Sequence, residues 1–235
     1  MTRTIKTFII PIVLLIILIF SFFMYNDTVL SVFTNQTLEP IRKGSNKDYI
    51  AFTCNVDWGT ELIPTMLEIF EKHNIKITFF VSGRWAKNNP DMLKKIYEKG
   101  HEIGNHGYRH RMHSKLGVEG NKKEIESTHR VVKETIGIDM KYFAPPSGDF
   151  NNTTLKVALD LGYKTILWNI DTIDWRKDST CDKIIKRVLN KPLNGSIVLM
   201  HPKEETIKAL DYIIESIGKK NIKIGTVSHI LNTLD

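Results

Sequence analysis

The chain of 235 residues holds only two cysteines, Cys54 and Cys181, too few to define a disulfide framework. Cys54 falls inside an apolar run and reads as a small buried residue. Acids are also scarce: 26 against 33 lysines and arginines, a formal charge of +7. That balance suits contact with anionic polymers or membrane surfaces. No nucleic-acid-binding motif accompanies it, so nucleic acid is excluded as a partner, and most of the lysines form a solvated surface. Beyond residue 48 there is no internal repeat and no low-complexity segment. Charge is missing altogether from FIIPIVLLIILIFSFFMY, Phe8 to Tyr25. Such a run is about enough to cross a hydrocarbon core of about 30 Å. Arg3 and Lys6 precede it, which favours a cytoplasmic amino end and an extracytoplasmic remainder. A cleaved signal peptide is the rival reading, but no A-x-A-like site follows. The expectation is a single-pass anchor in residues 1–25 that spans the cell membrane through residues 8–25, a polar connector over 26–48 and a domain over 49–235. Nothing in the sequence indicates an oligomeric state.

From Tyr49 onward short apolar runs alternate with amphipathic ones. YIAFTCN, ITFFV, HEIGNH, YFA, KTILWNI and SIVLMH read as strands, and IKIGTVSHIL closes the chain. Between them TELIPTMLEIFEKHN, DMLKKIYEKG, NKKEIESTHRVVKETIG, TLKVALDLG, CDKIIKRVLNKPLNG and ETIKALDYIIESIGKK carry helical spacing. The alternation predicts a parallel α/β fold, a distorted (β/α) barrel of about seven units, with a doubly wound open sheet as the alternative. Such a core needs neither metal nor disulfide to fold.

In parallel α/β folds reactive groups gather at the carboxyl ends of strands. Here those ends carry Asn55 and Asp57, then His106 and His110, then Pro145, Pro146 and Ser147, then DTIDW with Asp171, Asp174 and Trp175, and finally His201. His106 and His110 stand four apart, which places both imidazoles on one side of a helical turn. With Asp57 they form a candidate two-histidine, one-acid metal set that leaves positions for water. His113 is read as a loop residue, with a ligand role as the alternative. His101-Glu102 starts like H-E-x-x-H, but the next histidine is one residue too far and Gly104 interrupts, so the zincin reading is rejected. His73, His129 and His229 are assigned surface roles.

These motifs, in this order, resemble the NodB-homology polysaccharide deacetylases, carbohydrate esterase family four, over essentially all of residues 49–235. HGYRH matches the family's H-[ST]-x-x-H with Gly107 for the hydroxyl residue, and DTIDW and LMH match D-x-x-D-W and L-x-H in full. Two motifs depart. T-F-D-D-G becomes TCNVDWG, Thr53 to Gly59, two residues longer, and R-x-P-Y becomes APPS, with Ala144 for arginine and Ser147 for tyrosine. The NVDWG and APPSG pair resembles a sporulation-associated, deacetylase-like branch.

The resemblance implies metal-dependent N-deacetylation of an N-acetylated cell-wall glycan, peptidoglycan first, with a divalent ion, zinc before cobalt, held by Asp57, His106 and His110. It implies His201 as general acid oriented by Asp174, and Trp175, Ser147 and Pro146 at the substrate. Asn55 falls where the family has its catalytic base, and the arginine that orients that base is Ala144. The two changes are coherent, since a lone buried guanidinium or carboxylate is costly. An amide cannot serve as base at working pH, a deficit of about 100- to 10,000-fold. The alternative function is a catalytically impaired glycan- or partner-binding module.

Overall fold

The computed structural model describes residues 15–19, 21–22 and 38–232. The chain divides into two compact units, Met1–Leu38 and Glu39–Asp235. In the first, residues 15–19 and 21–22 are helical, and the rest of the expected anchor lies outside the described residues. Among the described residues no helix is long and apolar enough to cross a membrane.

The second unit is a parallel sheet with helices on its outer face. Its strands are β1 (Tyr49–Val56), β2 (Thr78–Val81), β3 (Glu102–Asn105), β4 (Tyr142–Phe143), β5 (Lys164–Thr165), β6 (Ile170–Asp171), β7 (Ile197–Met200) and β8 (Lys223–Gly225). They pair in the order β5-β4-β3-β2-β1-β7-β6, with β8 also on β1. Ala51 pairs with Ile197 of β7 and with Gly225 of β8, so β8 takes the start of the β1 edge whose end β2 takes. The helices are α1 (Ile63–Lys72), α2 (Gly83–Asn88), α3 (Pro90–Glu98), α4 (Val118–Ile136), α5 (Asn152–Asp160), α6 (Cys181–Leu189), α7 (Glu204–Gly218) and α8 (Val227–Leu231). This is the curled, barrel-like sheet that the alternating pattern predicted.

Sequence explains each part. β1 is buried along nearly its whole length, as a central parallel strand is. Its even-numbered residues Ile50, Phe52, Cys54 and Val56 enter the main core beneath the helices. Ala51 enters a smaller cluster inside the curl, with Phe80, Tyr142, Ile166 and Ile197. Strand parity therefore sends Asn55 to the inner face. On α1 the residues Ile63, Met66, Leu67 and Phe70 bury one stripe at helical spacing, with Pro64 in the first turn, where its missing N–H is harmless.

KTILWNI is not one strand. It breaks into β5 and β6, the two edges of the sheet, and Ile166–Asn169 cross the gap between them. Ile41 fills part of that gap. Its N–H donates to the Thr165 carbonyl at 2.8 Å and its carbonyl accepts from Leu167 N at 2.8 Å. Lys43 bridges to Ser196, and the Asn169 side chain takes the place of backbone by accepting from Ile197 N at 2.8 Å. Residues 39–48, read from sequence as connector, are thus packed into the second unit.

Candidate active site

A cavity of about 440 Å³ opens at the carboxyl ends of the strands, lined by Asn55, Asp57, Trp58, His106, His110, Ser147, Trp168, Asp171, Trp175, Leu199 and His201. Eight residues named at strand ends from the sequence therefore meet in one place: Asn55, Asp57, His106, His110, Ser147, Asp171, Trp175 and His201. Asp174 lies just behind, and Pro146 is buried beside Gly107 rather than in the lining.

The His201–Asp174 pair is fully hydrogen-bonded. His201 Nδ1 donates to Asp174 Oδ1 at 2.7 Å, and the His201 backbone N–H donates to Oδ2 at 2.7 Å. Thr206 Oγ1 also donates to Oδ2 at 2.7 Å. With Nδ1 committed to a carboxylate, Nε2 is the ring atom left to exchange a proton. The ring stacks against Trp58 at 5.7 Å between centroids, and Lys203 Nζ lies 4.3 Å from the Trp58 centroid. The DTIDW turn is held from below by Arg187, whose Nη1 donates to the Thr172 carbonyl at 2.7 Å.

His106 is buried, and its Nδ1 lies 2.7 Å from the Ala144 carbonyl. A carbonyl can only accept, so Nδ1 carries the proton and Nε2 keeps its lone pair. Burial, then the neighbouring His110, holds the ring well below its ordinary pKa, and it is neutral. Such an anchored tautomer is how a metal-ligating imidazole is usually prepared. The His110 ring lies 5.1 Å from that of His106. The expected helical turn between them is absent. Gly107 at φ 68° and His110 at φ 53° fold the segment instead, and two left-handed residues bring the rings together. Glu124 fixes this fold by accepting from the N–H groups of Tyr108 at 2.8 Å and Arg109 at 2.7 Å. His113, read as a loop residue, opens a short 3-10 turn, His113–Lys115. It is buried, its Nδ1 is bound to Asn121 Oδ1 at 2.7 Å, and a side chain at Gly107 would meet its Nε2 at 2.9 Å.

Asp57 is where the metal expectation meets the geometry. One oxygen accepts from the Ser82 hydroxyl and the other pairs with Arg84 Nη2 at 2.8 Å. Both are engaged, and among the described residues no group of three histidines, cysteines or acids is arranged to hold a metal ion. The imidazole pair fits a divalent cation; the carboxylate, as placed, does not complete the set. Asn55 is buried, and its Oδ1 has no hydrogen-bond partner. Ala144, in the arginine place, is buried too.

Trp58, Trp168, Ser82, Arg84 and Thr206 carry no role in the sequence reading. An aromatic beside a strand tip was the only signal for the two tryptophans. Nothing local marks the other three, whose partners lie 25 to 32 residues away.

A profile of the polysaccharide deacetylase family matches residues 42–166. Over 195 residues the chain is 41% identical to the Bacillus subtilis protein YlxY, covering 83% of this chain and 61% of that one. Over 193 residues it is 31% identical to a peptidoglycan-N-acetylglucosamine deacetylase of Bacillus cereus, covering 80% of this chain and 70% of that one. The fold matches a Bacillus anthracis protein, BA3943, described as a CE4 family pseudoenzyme, with a TM-score of 0.81 and 37% identity over 85% of this chain and 71% of that one. A BA3943 mutant described as having restored enzymatic activity matches with a TM-score of 0.81 and 36% identity, over 85% and 74%. By sequence, by fold and by the order of its motifs, the chain belongs to the polysaccharide deacetylases of carbohydrate esterase family four.

Proposed function

We propose that the domain engages the N-acetyl group of a cell-wall glycan, peptidoglycan first, in the 440 Å³ cavity, and that its amide hydrolysis is held down by the missing base. The observation that carries this is the contrast within one cavity between a complete acid side, Asp174–His201, and Asn55 with its unpartnered oxygen. The named activity of the Bacillus cereus relative supports the substrate class. Trp175, 56% exposed at the rim, offers an apolar face to a sugar ring, and the open Ser147 turn presents backbone toward the acetyl oxygen. His201 Nε2 gives its proton to the departing sugar amine, and Asp174 holds the ring for that transfer. A divalent ion, zinc or cobalt, would supply polarisation of the acetyl carbonyl when bound; His106 and His110 are the side chains that would hold it, and Asp57 would join them only if freed from Arg84.

A second reading, a glycan-binding module without turnover, is favoured by Asp57 being tied to Ser82 and Arg84, and by the likeness to the BA3943 pseudoenzyme. Acetate release from peptidoglycan and N-acetylglucosamine oligomers, with zinc or cobalt across pH 6 to 9, separates the two. Slow release above a His201→Ala control supports hydrolysis; glycan binding with release equal to that control establishes the module.

We also propose that residues 8–25 anchor the protein in the cell membrane with the domain outside. The charge-free run and the basic residues Arg3 and Lys6 before it support this. Release of the chain from membranes by alkaline carbonate would overturn it.

A further inference from the structure

Away from the catalytic cavity lies a groove of about 500 Å³, between the loop after β3 and the outer face of α4. Lys87, Arg109, Arg111, Lys123 and Arg130 line it, and all five are exposed. None forms an ion pair with a described acid, although acids elsewhere on the domain are commonly paired. Two acids share the lining. Glu124 accepts from the Tyr108 and Arg109 backbone and pairs with no described cation, so two acids stand against five cations and the lining keeps an excess of positive charge. Lys123, Ser127 and Arg130 are spaced four and three apart, so they form one row along α4, about 10 Å long at about 1.5 Å per residue. Gly120 leaves one end of that row without a side chain. Uncompensated like charges held in a concave row are a cost to the fold unless an anion is met there.

We propose that this groove binds a polyanionic chain carrying phosphodiester groups and no bases, such as a polyol phosphate polymer. Three of the five cations are arginines, whose planar forks match phosphate oxygens two at a time. The row is longer than one phosphate, which favours a chain over a free ion. The one aromatic in the lining, Tyr108, has its ring pressed against Gly83, so no free platform stacks a nucleobase. The groove also touches the site through a single loop: Arg109 and Arg111 line the groove while His110 between them lines the catalytic cavity. A bound polymer therefore lies alongside whatever glycan the cavity takes, and the inference does not depend on turnover.

The test is titration of the full chain, kept in neutral detergent, with a synthetic poly(glycerol phosphate) oligomer at 0.15 M salt. Polygalacturonate, single-stranded DNA and anionic phosphatidylglycerol vesicles form the comparison arms. Losing two phosphate contacts at this salt weakens binding about tenfold, from about 0.7 counterion per contact. Lys123→Gln with Arg130→Gln, and separately Arg109→Gln with Arg111→Gln, should each show that loss and a shallower salt dependence. Lys219→Gln with Lys220→Gln, an equal charge change at the end of α7, should stay within twofold. Should a groove pair fail to fold by circular dichroism, Arg111→Gln alone should show about half of that loss on a logarithmic scale, about threefold. Equal weakening by the control pair, absence of binding, or tighter binding of any comparison ligand overturns the proposal.

Discussion

Replacing Asn55 by aspartate returns a proton acceptor to the inner tip of β1, and the surroundings dictate how well it works. The side chain is buried, and its Oδ1 has no partner. A carboxylate there enters a low-dielectric site beside neutral His106 and near the acid Asp57, so its pKa rises. The single variant then acts as a base only above that raised pKa, at higher pH than an ordinary carboxylate. Its stability moves the opposite way, because a carboxyl whose folded pKa is raised loses stability as pH climbs above its unfolded value. Adding Ala144→Arg supplies the missing cation, draws that pKa down and restores the stability lost at neutral pH. A working general base is worth about 100- to 10,000-fold, or about 3–5 kcal/mol of barrier. Acetate release from N-acetylglucosamine oligomers against pH is the assay. The single variant should gain on the alkaline side, and the double variant should gain more, with its rising limb at lower pH. If the folded double variant, and the triple variant that adds Arg84→Ala, release acetate no faster than the natural chain, the missing pair is not the deficit.

Three further outcomes follow from the geometry. Asp174→Asn puts an amide NH2 in place of one carboxylate oxygen, against either the His201 Nδ1 donor or the His201 N and Thr206 Oγ1 donors; stability should fall by about 1–3 kcal/mol in denaturant, and acetate release should drop to the His201→Ala level. Arg84→Ala frees one oxygen of Asp57; calorimetric zinc affinity should rise about two- to fivefold, the range of an exposed ion pair, and no change would separate Asp57 from any ion. His101 is packed edge-on against Phe70 and Phe79 and accepts from Ile77 N, and burial lowers its pKa from 6.5 to about 4. A histidine with a lowered folded pKa loses stability as pH falls below its unfolded value, so about 3 kcal/mol should disappear between pH 6.5 and 4, a dependence that urea melts of His101→Leu should lack.

Much of this was open to reading because strand ends are marked by pattern. The short apolar runs of β1, β3 and β7 lead into Asn55, His106 and His201 at or just beyond their carboxyl ends, and parallel topology then brings those ends together. Two things were hidden. KTILWNI has full strand character, yet it divides because the Asn169 side chain and Ile41 take up the hydrogen bonds that a continuous strand would make. Ile41 and its bridge partner Ile166, 125 residues apart, leave no local trace. Likewise the spacing of His106 and His110 suggested a helix, and the same closeness is reached through Gly107 and His110 in left-handed conformation, which H-x-x-x-H does not distinguish. The Arg84 contact depended on α2, a helix of six residues whose GRWAKN pattern is too short to announce itself.

The short passage from Ile41 to Gly44 has a mechanical consequence. It clips into the seam of the curled sheet by the hydrogen bonds of Ile41 to Thr165 and Leu167 and of Gly44 to Gly195. Any tension arriving along the polypeptide from its amino end must tear those clasps before it reaches β1. The protein thus has a weak link placed ahead of its reactive hollow, one that would give way under load while the residues around Asn55 stayed in register.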